Sequence, residues 1–429
     1  MRTGHRRCLY RLQIFLPCAA MCACLLFAQL GWAQRSVWVA AWATSPQPSV
    51  PDAIKPLLNI HDQTVRERVR VSVGGPQICL RLSNEYGPAP LLIGSLTVAK
   101  PREESSVRTG SIKAVTFGGH NSITIPPGAP VISDPIPFPV TSGDEISISI
   151  YFPDRLASPT FHGHALQRAV ISQPGDFTRV EKIQGDATTK SSVFVSAVLV
   201  PAKPRQRLVV AFGDSITDGD GASDADHTWP SDLIHRLAKT PEASNTAVVN
   251  EGIIGNRLLS DCFLPKVGCF GVNALARFER DALAIPGVTH IVLLEGINDV
   301  GFPGANIDGA LLADAADLRS PEDLMQAYRQ LIARAHARGI KLIGATITPF
   351  EGVDVPGYYS EKKEATRQAV NTWIRTSGAF DGVIDFDAVL RNPAQPRRIL
   401  PRFASEDHLH PNDAGYQAMA DAVDLALFK

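Results

Sequence analysis

A serine, a histidine and an aspartate in this chain stand in the settings that acyl transfer requires. Ser215 lies in Gly213-Asp214-Ser215-Ile216, directly after the apolar run Leu208-Val209-Val210-Ala211-Phe212. An apolar strand ending in a tight turn puts a hydroxyl outside the carboxyl end of a parallel sheet, where open α/β folds bind ligands. That hydroxyl becomes a nucleophile only if a base takes its proton. Asp407-His408-Leu409-His410-Pro411 offers one. An aspartate three residues before a histidine on one turn can bond Nδ1 and leave Nε2 for the serine proton. Read alone, the segment is more safely taken as a pair of surface loop histidines.

The tetrahedral oxyanion of acyl transfer needs fixed donors. Asn250-Glu251-Gly252-Ile253-Ile254-Gly255-Asn256 follows an apolar run at 246–249, and Gly255 can turn its backbone N–H toward the serine with no side chain in the way. Gly296-Ile297-Asn298-Asp299 follows a run at 290–294, and Asn298 carries a side-chain amide. Taken singly, each is also an ordinary turn.

The elements that must position these residues are legible after Arg207. Apolar runs at 208–212, 246–249, 290–294, 341–347 and 383–386 alternate with helical patterns. Leu324, Tyr328, Leu331, Ile332 and Ala335 follow helical spacing, and Gly339 stops that helix. A second helix is expected over roughly 361–376 and a third from Asp413 to Leu427. Strands alternating with helices imply a parallel sheet covered on both faces.

Residues 34–200 read differently. Val69 to Val73, Ile78 to Leu82 and Ile146 to Ile150 alternate with period two, separated by turn signals such as Gly74-Gly75-Pro76 and Pro126-Pro127-Gly128. Such spacing predicts an all-β sandwich or jelly roll. Pro201 to Arg207 reads as a linker, and Val37 to Ala43 as a candidate strand of the catalytic sheet. The expected domains are thus 34–200 and 208–429.

Residues 1–33 have a basic start, an apolar stretch from Leu12 to Leu30 and small residues at Gly31 and Ala33. This predicts a secretory signal peptide and a secreted or periplasmic protein, with an uncleaved anchor as the alternative. A formal net charge of −1 gives no general attraction to nucleic acid or to an anionic membrane. Four of the seven cysteines fall in the signal segment. Export permits a disulfide between Cys262 and Cys269, and Cys79 reads as a buried free thiol. The spacing of cysteines suggests no metal site, and no cofactor is expected.

Taken in order, Gly-Asp-Ser at 213–215, the glycine at 255, Gly-x-Asn-Asp at 296–299 and Asp-x-x-His at 407–410 resemble the four blocks of the SGNH, or GDSL, hydrolase superfamily. The resemblance covers 208–429. It implies a flavodoxin-like three-layer α/β/α domain that needs no metal. It also implies Ser215 as nucleophile, His410 as base, Asp407 as its orienter, and an oxyanion hole of the Ser215 and Gly255 N–H groups with the Asn298 amide. The segments 213–219, 250–253, 276–281 and 294–299 look like the branch of secreted bacterial esterases similar to acetyl xylan esterases. Leu82 to Gly87 looks like part of the domain accompanying that branch. The segment from Cys262 to Cys269 reads as an insertion near the oxyanion loop.

The expected function is therefore a secreted serine esterase removing short acyl, chiefly acetyl, groups from plant polysaccharide or an acylated small molecule. An aryl or lipid short-chain esterase, a lysophospholipase-like hydrolase and an inactive carbohydrate-binding relative are the alternatives. Oligomeric state is not legible. Asp218, Asp220, Asp224 and Asp226 read as a solvated loop, because the order of calcium ligands in an EF-hand fails. His162-Gly163-His164 reads as loop histidines near the substrate mouth. Trp38 and Trp42 read as core, and Trp229-Pro230 as the start of a helix.

Overall fold

Five apolar runs form five strands: β1 (Arg207–Gly213), β2 (Thr246–Gly252), β3 (His290–Leu294), β4 (Lys341–Ala345) and β5 (Gly382–Ile384). In the computed structural model they lie in the order β2-β1-β3-β4-β5, with every neighbouring pair parallel. This is the flavodoxin-like order, whose switch point lies between the first and third strands. Leu208 to Gly213 and His290 to Leu294 are buried at every residue. A parallel sheet covered on both faces accounts for these unbroken apolar runs.

The structure describes residues 37–49, 60–103, 105–156, 158–241, 243–261, 263–264, 268–269 and 271–429, with backbone alone at 186, 263, 264, 268 and 269. The expected signal peptide lies outside the described residues, as do Cys262 and the side chain of Cys269, and with them the expected pair. Cys79 is a buried free thiol, as expected.

Among the described residues, the four longest helices are α1 (Trp229–Ala238), α2 (Pro321–His336), α3 (Glu361–Thr376) and α4 (Asp413–Ala422). Helix α1 packs on α4, and α2 on α3. Thr228 caps α1, and Pro230 sits in its first turn, as expected. Ser320 and Asp323 form a reciprocal capping box on α2, whose buried stripe includes Leu324, Tyr328, Leu331, Ile332 and Ala335. The last helix is shorter than expected: α4 ends at Ala422, and Leu425–Phe428 is a separate 3-10 turn. Among the described residues, no helix is long and apolar enough to cross a membrane.

From Trp38 to Pro201 the described chain is built on antiparallel strands. Trp38–Ala43, Val195–Pro201, Cys79–Ser83 and Pro130–Ile132 form one sheet. Gln63–Arg70 and Glu145–Phe152 are central in a six-stranded sheet. Ile146, Ile148 and Ile150 are buried, as their alternation predicts, but so are Ser147 and Ser149 between them. The second face is covered too: Arg66 Nε donates to Ser149 Oγ at 2.8 Å.

Trp38–Ala43 is not a strand of the parallel sheet, contrary to expectation; its partner is Val195–Pro201. Ser72 stands between it and β2. The Ser72 N–H donates to the Ala41 carbonyl at 2.7 Å, and its Oγ accepts from Val248 N at 3.2 Å. Residues Trp38 to Lys429 form one compact unit.

Candidate active site

Ser215 opens a single helical turn, Ser215–Asp218, immediately beyond β1. The Asp214 carboxylate caps that turn by accepting from Ile216 N at 3.0 Å. The turn rests on the end of β2. A Cβ on Gly252 would lie 2.2 Å from Asp218 N, so only glycine permits this approach. Ser215 is thereby fixed at the carboxyl end of β1, beside the switch point.

His410 reaches the serine from the loop before α4. Its Nε2 lies 2.8 Å from Ser215 Oγ, and its Nδ1 faces Asp407 Oδ2 at 2.5 Å. The turn between them passes through His408 at a φ of +59°. This curls the backbone around the aspartate. Asp407 Oδ1 accepts from Leu409 N at 2.9 Å, His410 N at 3.0 Å and Ser405 Oγ at 2.6 Å. The carboxylate that orients the imidazole is therefore held by its own loop.

Electrostatics follow from these contacts. Burial favours the neutral form of Asp407, but hydrogen bonds and charge from His410, with the Ser405 bond, hold its pKa well below the usual carboxylate range. Burial lowers the His410 pKa, and Asp407 with the nearby Asp220 and Asp214 more than offsets this, leaving it raised. An imidazole with a raised pKa is a stronger base toward the serine proton, and charge can develop on it opposite a carboxylate that stays ionised.

Asn298 and Gly255 meet through one loop. Asn298 Nδ2 donates to the Asn256 carbonyl at 2.9 Å, and Asn298 Oδ1 accepts from the Tyr358 hydroxyl at 2.8 Å. The amide's orientation is thus set at both ends, and an NH2 group has a second hydrogen to give. Asp299 holds the same loop by accepting from Leu258 N at 2.6 Å and Leu259 N at 3.0 Å. The Gly-x-Asn-Asp spacing puts both side chains on the 253–259 loop. Gly255 sits there at a φ of +68°, a conformation that favours glycine.

The floor of the site is Arg277, which sequence reasoning noted only within a longer segment. Its buried guanidinium donates to the Gly213 carbonyl at 2.8 Å, the Glu251 carbonyl at 2.8 Å and Asn256 Oδ1 at 2.8 Å. It lies over the Phe212 ring at 4.0 Å and also faces Asp281 and Glu295, each at 3.4 Å. Burial raises the pKa of the neighbouring Glu251 and Glu295 well above the ordinary value. Tyr358 was also missed, because its link to Asn298 has no local sequence signal.

The acidic loop is solvated at Asp224, as expected, but not at the other three aspartates. Asp218 is buried, with Oδ1 3.0 Å from His162 Nε2 and Oδ2 accepting from Ile254 N at 2.9 Å. Asp220 lies 3.7 Å from both His410 Nε2 and His164 Nε2. Asp226 takes two bonds from Arg70, at 2.6 and 2.7 Å. Asp224 caps the Ala225–His227 turn. Partners for three of the four aspartates come from the antiparallel region, which a local reading cannot see.

A hydroxyl, an imidazole and a carboxylate in hydrogen-bonded series, on an open parallel sheet, are the arrangement of a serine acylhydrolase. Residues 211–418 match the model of the GDSL-like Lipase/Acylhydrolase family, and this part of the chain is a GDSL-like acylhydrolase domain. Similar solved structures include a G-D-S-L family protein of Desulfitobacterium hafniense DCB-2, with 20% identity over 50% of this chain and 96% of that one, TM-score 0.36. The M. smegmatis aryl esterase shows 16% identity over 51% and 95%, TM-score 0.37. A variant of an acetyl xylan esterase from Geobacillus stearothermophilus shows 20% identity over 52% and 94%, TM-score 0.37. No curated protein matches the chain.

Proposed function

We propose that the protein is an exported serine esterase that hydrolyses short-chain acyl esters through an acyl-enzyme. The observation that carries this reading is the continuous line from Ser215 Oγ through both nitrogens of His410 to Asp407. His410 Nε2 takes the serine proton as Oγ attacks the ester carbonyl carbon. The oxyanion receives the N–H groups of Ser215 and Gly255 and the remaining amide hydrogen of Asn298. The imidazolium then protonates the departing alkoxide, leaving an acyl group on Ser215. Water, deprotonated by His410, attacks that acyl group, and the serine is regenerated as the carboxylic acid leaves.

Acetyl groups on plant polysaccharide are the substrate class we assign. The resemblance of 213–219, 250–253, 276–281 and 294–299 to esterases of that type supports it, together with the signal-like start of the chain. The test is acetate release from acetylated xylan, pectin and glucomannan beside p-nitrophenyl acetate, with Ser215→Ala as control. Release by wild type and none by the variant is expected. Near-wild-type turnover by Ser215→Ala contradicts the mechanism, and release from the aryl ester alone contradicts the substrate class.

A further inference from the structure

The His162-Gly163-His164 segment does not belong to the catalytic series, yet it is bonded to the turn that carries Ser215. His162 lies in the short strand Phe161–His162, paired with Ser192–Val193 in the antiparallel region, and is buried. Its Nε2 faces Asp218 Oδ1 at 3.0 Å, and its Nδ1 faces the Ser45 carbonyl at 3.1 Å. Both neighbours are acceptors, so both ring nitrogens must donate. Only the imidazolium satisfies the two together. Burial works against that charged form, but the charge and bond of Asp218 with the Ser45 bond prevail, and the His162 pKa is raised.

Asp218 passes this contact on. Its second oxygen accepts from Ile254 N at 2.9 Å, one residue before Gly255. The Asn250 side chain bonds the carbonyls of Thr217 and Asp218 at 2.8 and 3.2 Å, and its Oδ1 accepts from Gly252 N at 2.9 Å. The nucleophile turn and the oxyanion loop are thereby held at a fixed spacing. The anion at the centre of this arrangement is buried, and its only charged partner at hydrogen-bond distance among the described residues is His162. Ser45, which fixes the other nitrogen of that ring, itself bonds Glu251 and receives a bond from Arg277 at 3.0 Å. The antiparallel region thus reaches the floor of the site at two adjacent points.

We propose that His162 is a positioning residue for the oxyanion hole: by pairing with Asp218 it fixes the carboxylate that holds Ile254 N–H, and so aims the next peptide, that of Gly255. The antiparallel region is on this account a structural part of the esterase site. The proposal deepens the esterase reading and rests on it for its kinetic consequence, whereas its structural consequence does not depend on catalysis.

The experiment compares full-length wild type, His162→Phe and His162→Gln. Phenylalanine keeps the ring volume and removes both donors; glutamine restores one donor toward Asp218. Hydrogen exchange by mass spectrometry is read over residues 252–258, with 290–294 as reference, beside kcat and KM for p-nitrophenyl acetate. His162→Phe is expected to exchange at least about tenfold faster over 252–258 with the reference unchanged, as local opening demands. It should lose about tenfold or more in kcat with KM within about twofold, since a misplaced oxyanion donor weakens the transition state and not substrate binding. His162→Gln should recover part of both. Unchanged exchange over 252–258 in folded His162→Phe overturns the proposal, whatever the kinetics show. Should that variant not fold, His162→Gln alone decides: faster loop exchange than wild type supports the proposal and identical exchange overturns it. A wild type that turns over no ester sinks the esterase reading, while the exchange data still decide the positioning role.

Discussion

The Arg277 guanidinium donates to the Gly213 carbonyl at 2.8 Å, two residues before Ser215. The same side chain bonds the Glu251 carbonyl and Asn256 Oδ1, so one buried cation ties the ends of β1 and β2 together. It is also a positive charge beside Glu295 and beside Asp281, which Arg280 pairs with as well. Removing one partner from a buried charged network commonly costs about 3–5 kcal/mol. Arg277→Met should therefore lower the urea midpoint far more than exposed Arg397→Met. Equal midpoints for the two variants would remove Arg277 from its structural role.

Asp407 sets the basicity of His410. The acid limb of the kcat/KM profile reports the base of the free enzyme. Its midpoint is expected above the ordinary imidazole value of about 6.5, because Asp407 and the other nearby carboxylates outweigh burial. Rate rises with pH through this limb as His410 becomes neutral. Asp407→Asn removes the charge that raises the pKa, so the limb should move to lower pH while kcat falls about 10³–10⁴-fold. A pH–rate series on both proteins checks the sign, and a shift to higher pH runs against it.

Tyr358 fixes the Asn298 amide through a 2.8 Å bond to Oδ1. Asn298→Ala removes the amide assigned to the oxyanion and should cost about 10²–10³ in kcat. Tyr358→Phe leaves the amide in place but frees its orientation. Its loss in kcat should be smaller, with KM little changed. Steady-state kinetics on the two variants would disprove the link if Tyr358→Phe behaved as wild type.

Gly255 adopts a φ of +68°. Gly255→Ala strains the loop at the position whose N–H is assigned to the oxyanion. A fall in kcat larger than any fall in thermal midpoint is expected. Loss of stability with full activity in the folded fraction would place the strain away from the chemistry.

The candidate site was legible where its geometry is local. A strand running into Gly213-Asp214-Ser215, and an Asp three residues before His410, describe single turns whose shape short sequences determine. The parallel sheet was legible for a similar reason: strands buried on both faces read as continuous apolar runs. What stayed hidden depends on partners distant in sequence. Tyr358 and Asn298 are 60 residues apart, His162 and Asp218 are 56, and Arg70 and Asp226 are 156. The acidic loop looked solvated because its partners sit in another sheet. Trp38–Ala43 has a strand's composition, but composition does not select between two neighbouring sheets.

The central claim is that Ser215 is a nucleophile activated by His410. The direct measurement is covalent labelling with a fluorophosphonate, followed by mass spectrometry of the modified peptide. A single adduct on Ser215 is expected, with labelling lost in Ser215→Ala and slowed at least about a hundredfold in His410→Ala, as removal of the base requires. An adduct elsewhere, or labelling of His410→Ala at the wild-type rate, would contradict the account.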